Sequence, residues 1–599
     1  MYKRQVQDLK ADLVIDSGNT GSTNVITSTD SLSIVIDSID AGNLSLNAGA
    51  LNSDSIVSLA GGYDANAVYV SELNGTLNAA LGDGKSELAS SLSVNLNETT
   101  LATILTGTNN TAIYGGDAVD GDVTIDATNM LSSKTLDLGS TIQNFLTAAS
   151  ATVVINSNLN ATYSTSDLSV TVSRAKDAGG VVSNTDLLNI ITGRGNDSLV
   201  IAGPAAVKGG DGADRFTVLS GNISIIDLGF GNDQLLNYGG AVTAVLQDDW
   251  IASSSSSLGL GTTSIDSNGH NIDLSLASTS PASTSVTVSN STSTSVEMWG
   301  TAAVDSLVAG SGGDSLHGSG GNDILVGGAG VDTFYVDKDA DTVRNVSGSD
   351  NLVVSNGATA NVTLSGTWSA SGGTVNDGIA SFTTAGYAVD LHNALGTKGF
   401  KVIDTGLTAI SLVGSANADS LTAGSGGDTL HGGLGVDTLT GGSGQDIFDF
   451  HLGDSVLTTV SGGSGFDVIK SFAKSASTSI LNGDMIYLDQ SLSIGGSASA
   501  PTASEASINQ TTGIASFASG SGGTLADALG DIAQRFTNSV GGTNAGQFAF
   551  FKVNNSGNYY MFISDGNDGL SSDDVAIQLS GLTAITSVII HDANHVFIV

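Results

Sequence analysis

The sequence predicts an all-β chain built from repeats, and three observations carry that prediction. A nine-residue unit, Gly-Gly-x-Gly-x-Asp-x-U-x with U a large apolar residue, recurs in two blocks. Outside the blocks, short runs alternate apolar and polar residues between Gly, Asn and Asp, which is the period of a β-strand. Third, of 58 acidic residues only five are Glu, namely Glu72, Glu87, Glu98, Glu297 and Glu505. Asp favours turns and metal loops whereas Glu favours helix surfaces, so the bias points to loop-rich β structure.

The first block reads Asp305-Ser-Leu-Val-Ala-Gly-Ser-Gly-Gly-Asp-Ser-Leu-His-Gly318 and spaces Asp305, Asp314, Asp323 and Asp332 nine apart. The second reads Asp419-Ser-Leu-Thr-Ala-Gly-Ser-Gly-Gly-Asp-Thr-Leu-His-Gly432 and spaces Asp419, Asp428, Asp437 and Asp446 likewise. A ninth match, Gly462-Gly-Ser-Gly-Phe-Asp467-Val-Ile-Lys, stands alone. Glycine lets the backbone turn tightly through positive φ and leaves carbonyl oxygens pointing inward. Asp adds a hard carboxylate, and oxygen-only cages of this kind suit Ca²⁺. Each x-U-x triplet buries one side chain: Leu307, Leu316, Leu325 and Phe334, then Leu421, Leu430, Leu439 and Phe448. Both blocks end on Phe, as if a larger ring closes the stack.

These units resemble the RTX (repeats-in-toxin) family of calcium-binding nonapeptides. The resemblance implies a right-handed parallel β-roll, or β-solenoid, in which two nonapeptides make one turn and Ca²⁺ sits between turns stacked on the same edge. Carried onto this chain, it pairs Asp305 with Asp323, Asp314 with Asp332, Asp419 with Asp437 and Asp428 with Asp446, and adds Asp467. It also makes hairpin glycines of Gly310, Gly312, Gly321, Gly328 and Gly330 in the first block. Their counterparts in the second are Gly424, Gly426, Gly433, Gly435, Gly442 and Gly444. The steps Gly300-Thr-Ala-Ala-Val-Asp305 and Gly414-Ser-Ala-Asn-Ala-Asp419 lack inner glycines, which leaves the first site of each block half-built. The match is strong over 305–335 and 419–449, weaker over 189–235, and covers a minority of the chain.

In chain order, Met1-Tyr-Lys-Arg-Gln5 reads as a translated sequencing-adapter peptide, so residues 1–5 are taken as non-native and the chain as part of a longer protein. Residues 6–185 are a Ser/Thr/Asn-rich β segment, with runs such as Ser31-Leu-Ser-Ile-Val-Ile-Asp37; short helices are expected at Leu73 to Leu81 and Leu136 to Ala149. Residues 186–240 hold degenerate repeats around Asp197, Asp214 and Asp233, spaced 17 and then 19, as though one edge keeps its calcium sites and the other has drifted. A β segment over 241–299 contains the tract Ser253–Ser257, read as a mobile loop. Block 1 occupies 300–343, a further β segment 344–413, and block 2 414–470. The second block repeats the first 114 residues later, which favours two modules stacked in one solenoid over separate beads.

Residues 471–599 form a small mixed, β-rich C-terminal domain. Thr524-Leu-Ala-Asp527 starts a helix with a capping box, and Leu525, Leu529, Ile532 and Phe536 share one face. Strands are expected at Gln547–Val553, Tyr559–Ile563, Val575–Leu579 and Val588–Ile590. The apolar end Asn594-His-Val-Phe-Ile-Val599 resembles the uncleaved signal of RTX proteins exported by type I secretion. Asp565-Gly-Asn-Asp568-Gly is a turn or one more cation loop.

Composition bounds the function. A net charge of −40, with 58 acidic against 18 basic residues, leaves no basic face for nucleic acid. Cysteine is absent, which removes disulfides and zinc–thiolate sites. No apolar run approaches the roughly 18 residues of a transmembrane helix, and no apolar core follows the basic start as in a cleavable signal peptide. Neither His-Glu-x-x-His nor a Gly-x-Ser-x-Gly elbow occurs, so no catalytic residues are assigned. His317 and His431 occupy equivalent repeat positions and read as solvated strand edges; Trp250, Trp299 and Trp368 read as core or capping residues. The resemblance therefore implies a non-enzymatic, secreted, calcium-binding surface protein of the S-layer or adhesin kind. Its partners would be calcium ions, the type I secretion apparatus, and cell-surface polysaccharide or further copies of itself. The alternative is the non-catalytic C-terminal part of a larger RTX exoenzyme or toxin.

Overall fold

A computed structural model describes residues 198–599 apart from short loop segments, and of residues 1–197 only the strands. The chain divides into two compact units, Met1–Gly310 and Ser311–Val599.

The first unit is a parallel β-solenoid. Successive strands alternate between two sheets, so each strand pairs with the next but one in sequence. One sheet stacks Ser198–Ile201, Arg215–Val218 and Gln234–Asn237. The other stacks Ala205–Lys208, Asn222–Asp227, Ala241–Val245, Thr262–Asp266 and Val286–Ser289. The same alternation runs through the strands from Arg4–Leu9 onward. Period-2 sequence becomes period-2 burial, as in Val286–Ser289, where Val286 and Val288 face the core. The expected helix at Leu73 to Leu81 is instead the strand Thr76–Ala80, paired on both sides. Its four-residue leucine spacing suits a helix, but lateral hydrogen bonds from two neighbouring coils outweigh that preference. Of the second expected helix, Thr135–Asp137 is a strand and the remainder lies outside the described residues. The serine tract is not a loose loop: Ser256 is fully buried and Ser257 bridges Leu236 and Ser278.

The second unit continues the same logic with shorter coils. Leu412 pairs with Leu430, Leu421 with Leu439 and Leu430 with Phe448, a step of two nonapeptides each time. The eight expected core residues, Leu307 in the first unit and the other seven here, are all 0% exposed. Neither Phe closes its stack: Phe334 pairs onward with Leu352 and Phe448 with Ile486. Parallel pairing passes without a break through 344–413, where coils lengthen; Val362 pairs with Phe382, which pairs with Val402. The wider interior there is filled by stacked Trp368 and Phe382 at 5.0 Å, with Phe400 tilted against Phe382 at 5.9 Å. Because Leu430 is sandwiched between leucine and phenylalanine rungs with no room to collapse, Leu430→Ala should cost about 2–5 kcal/mol in denaturant unfolding with calcium present.

The C-terminal part turns antiparallel. Gln547–Lys552, Tyr559–Ile563 and Val575–Ser580 form a meander, and the last of these pairs in parallel with Asp467–Lys470 of the solenoid. The helix Leu525–Thr537 is the one helix among the described residues. Leu529, Ile532 and Phe536 bury its apolar face against Ala549, Phe551 and Phe562, with Leu525 half-buried beside them. The capping box is present: Asp527 N–H donates to Thr524 Oγ1 at 3.1 Å, and Thr524 N–H donates to Asp527 Oδ2 at 3.2 Å. Thr524→Ala should lower stability by about 1 kcal/mol in thermal unfolding and leave the calcium midpoint unchanged. The chain end is an interior strand, His595–Ile598, antiparallel to both Met485–Leu488 and Val588–Ile590.

Candidate metal centre

In the repeat blocks, each x-U-x triplet carries its Asp immediately ahead of the strand, so stacking coils two nonapeptides apart stacks the carboxylates. The contact is a specific one. Asp314 N–H donates to Asp332 Oδ1 at 2.8 Å, and Asp332 N–H to Asp350 Oδ1 at 2.9 Å. On the opposite edge, Asp323 N–H donates to Asp341 Oδ1 at 2.9 Å. In the second block one column runs Asp419, Asp437, Asp467, each amide reaching the next carboxylate at 2.7 Å. The other runs Asp428, Asp446, Asp484 at 2.9 and 3.0 Å. The expected pairs Asp314–Asp332, Asp419–Asp437 and Asp428–Asp446 are thus brought together.

The first unit has its own version. Asp214 N–H donates to Asp233 Oδ1 at 2.8 Å across a 19-residue step, while Asp197 lies outside the described residues. Asp305 accepts Val286 N–H on Oδ1 at 3.0 Å.

The second carboxylate oxygen has two fates. Where a polar group four residues upstream is in reach, it is satisfied within the hairpin: Gly328 N–H donates to Asp332 and Gly442 N–H to Asp446. At the two steps lacking inner glycines a hydroxyl joins in. Thr301 donates both N–H and Oγ1–H to Asp305 Oδ2, at 2.6 and 2.7 Å; Ser415 does the same to Asp419 Oδ2, at 2.6 and 3.0 Å. By contrast, Oδ2 of Asp341, Asp404, Asp428, Asp437 and Asp467 is buried with no hydrogen-bond partner. A buried, unpartnered carboxylate oxygen is expensive unless a cation meets it.

Electrostatics show the same need. Burial, then the Asp467 carboxylate and Asp419, push Asp437 up to about 9. Burial raises Asp467 and Asp341 to about 7, and Asp332, Asp419 and Asp484 to about 6. Asp305, Asp350 and Asp446 are raised by burial too.

The hairpins leave space only for glycine. Gly444 sits at φ +143°, and a Cβ there would overlap the carbonyl of Gly426 one coil earlier; Gly330, at φ +110°, stands likewise over Gly312. Gly321, Gly433 and Gly435 also take positive φ, and a Cβ on Gly424 or Gly442 would strike the coil before it. In the first unit a Cβ on Gly310 would strike Asn290 and Thr292. Gly328 serves through its N–H on Asp332. Stacked carbonyls beside buried carboxylates are hard oxygen donors, which suits Ca²⁺ in particular.

Sequence reading missed Asp341, Asp350 and Asp484 as members of the columns, and Asp404 beside them. Asp341 and Asp350 continue the nine-residue spacing of the first block without its glycines, so the Asp period alone would have found them. Asp404 lies outside that spacing and accepts Thr384 Oγ1–H at 2.7 Å and Gly386 N–H at 2.8 Å. The repeat histidines are not solvated edges. His317 is 7% exposed and stacks on Tyr335 at 3.9 Å; His431 is half-buried. Two of the three tryptophans are core: Trp250 and Trp368 are buried, and each donates its indole N–H to a ladder carbonyl, that of Asp233 or Asp350. The Asp565 turn is closed by its own bonds to Asn567 and Ser571.

No curated protein matches the chain. The family model for the RTX calcium-binding nonapeptide repeat, in four copies, matches residues 299–343 and 413–457. Those segments contain Asp305 to Asp341 and Asp419 to Asp446 of the carboxylate columns described above, so the chain carries RTX calcium-binding repeats there.

Proposed function

We propose that this is a secreted structural surface protein, S-layer-like or adhesin-like, whose solenoid folds when extracellular calcium fills the carboxylate columns. The observation that carries this reading is the set of buried, unpartnered oxygens on Asp341, Asp428, Asp437 and Asp467. Asp314, Asp323, Asp332, Asp419, Asp428, Asp437, Asp446 and Asp467 would hold the ions with hairpin carbonyls; Asp305 and Asp419, already met by Thr301 and Ser415, would hold theirs more weakly. Extracellular calcium modules bind with dissociation constants of roughly 10⁻⁴–10⁻³ M, so the columns would stay empty and mutually repelling in a calcium-poor cytoplasm. A chain unfolded there can be exported, and binding outside then stabilises the native state by mass action. The chain end fits type I export in the same way, being exposed until His595–Ile598 joins the sheet. A structural rather than catalytic role is supported by uninterrupted stacking through 344–413, which builds length around a packed core. Electron microscopy of the purified full chain tests this. Calcium should produce ordered sheets or surface arrays that chelator dissolves; a monodisperse chain under both conditions would contradict it.

A further inference from the structure

Beside the second block, next to the column that holds Asp437 and Asp467, two histidines and two aspartates converge. His431 ends the strand Thr429–His431 and stands in register with Asp449 of the strand Ile447–Phe450. The chain then turns from His451 through Gly453 at φ +95°, and Asp454 Oδ2 accepts the His451 N–H at 2.7 Å. His451 Nε2 lies 3.5 Å from Asp449 Oδ1, His431 Nδ1 lies 3.8 Å from Asp449 Oδ2, and His431 Nε2 lies 3.6 Å from Asp454 Oδ2. The two imidazole rings are 4.4 Å apart. One ligand atom each from His431, Asp449 and His451 fits within a span of 4.8 Å.

From this geometry we infer a second metal site, selective for a zinc-like transition cation, with His431, His451 and Asp449 as ligands and Asp454 or water completing the shell. Tetrahedral ligands at about 2.0–2.1 Å from such an ion stand roughly 3.3–3.4 Å from one another, close to the 3.5 Å from His451 Nε2 to Asp449 and the 3.6 Å from His431 Nε2 to Asp454. Asp449 Oδ1 is buried and has no hydrogen-bond partner although it faces His451. His431 Nδ1 lies 3.2 Å from the Asp449 carbonyl; an N–H donated there fixes the ring and leaves the Nε2 lone pair toward Asp454. Imidazole nitrogen suits zinc, cobalt or nickel and is a poor ligand for Ca²⁺, so the two kinds of site separate by ligand chemistry. The first block supplies an internal control. There His317 has Tyr335 in the register position that Asp449 holds here; the two rings stack, and the neighbouring carboxylate, Asp337 Oδ2, lies 3.9 Å from Nδ1.

The test is Co²⁺ titration of the calcium-saturated full chain, followed by visible absorption, with Zn²⁺ displacement by calorimetry. One Co²⁺ per chain should bind and resist excess calcium. His451→Ala, whose side chain is 49% exposed and outside the core, and Asp449→Asn should each weaken it at least about tenfold, with the calcium midpoint of folding unchanged. His317→Ala should bind as wild type. Equal Co²⁺ affinity in wild type, His451→Ala and Asp449→Asn would overturn the assignment, as would loss in His317→Ala equal to that in His451→Ala, or displacement of Co²⁺ by calcium.

Discussion

Asp437→Asn should change stability with opposite sign in calcium and in chelator. Asp437 is fully buried; Oδ1 accepts the Asp419 N–H and Oδ2 has no partner. Asparagine keeps an oxygen for the Asp419 amide and, above about pH 9 where Asp437 is ionised without calcium, removes the charge that faces Asp467, Asp419 and Asp454. Without calcium and above about pH 9, replacing the unpaired charged oxygen by an NH2 that faces the other carboxylates should stabilise the fold by about 1–3 kcal/mol. With calcium, the same change deletes a charged ligand, and the calcium midpoint of folding should rise at least about tenfold. Circular dichroism against calcium, with denaturant curves in each condition, reads both effects. Asp428→Ala should share the calcium effect, whereas Asp305→Ala should raise the midpoint less, because Thr301 already satisfies its oxygen. A variant destabilised equally in both conditions would make Asp437 a structural hydrogen-bond acceptor and no more.

Acid should partly replace calcium. The ladder carboxyls are raised, chiefly by burial: Asp332, Asp419 and Asp484 to about 6, Asp341 and Asp467 to about 7, Asp437 to about 9. Each folded value lies above the unfolded one near 3.8, so the folded state binds more protons than the unfolded. The stabilisation this gives is complete below the ordinary carboxylate range and is lost as pH rises through 6, 7 and finally 9. In chelator the second unit should therefore be most stable in mild acid and melt at progressively lower temperature up to about pH 9. In calcium the dependence should invert, since protons and calcium compete for the same oxygens: the calcium midpoint should fall as pH rises. Thermal melts from pH 4 to 9, with and without chelator, check both slopes. A chelated fold that gains stability from pH 5 to 8 would show ordinary paired carboxylates instead.

Much of this was legible from sequence, because a nonapeptide states its own geometry. The phased Leu and Phe gave the core rungs, the Asp spacing gave the coil length, and Thr524 and Asp527 gave the helix start. What escaped depended on neighbours distant in sequence. The segment around Thr76–Ala80 has helical leucine spacing and becomes a strand only because coils on both sides supply hydrogen bonds. Asp484 joins its column across a 38-residue step, so no local period marks it. The pairing of His431 with Asp449 and His451 likewise needs the register between coils, since the equivalent His317 meets Tyr335 at the position Asp449 holds. Phe334 and Phe448 suggested stack ends through size alone, and the strands that continue past them carry no repeat signature.

The central claim is that calcium holds the carboxylate columns shut, and hydrogen exchange resolved by peptide tests it on the intact chain. The amides of Asp419, Asp428, Asp437 and Asp446 are hydrogen-bonded to carboxylates one coil away. Peptides covering 413–457 should be strongly protected in calcium at pH 8 and exchange near the unfolded rate in chelator, returning to protection when calcium is restored. Equal protection in both buffers would contradict the account.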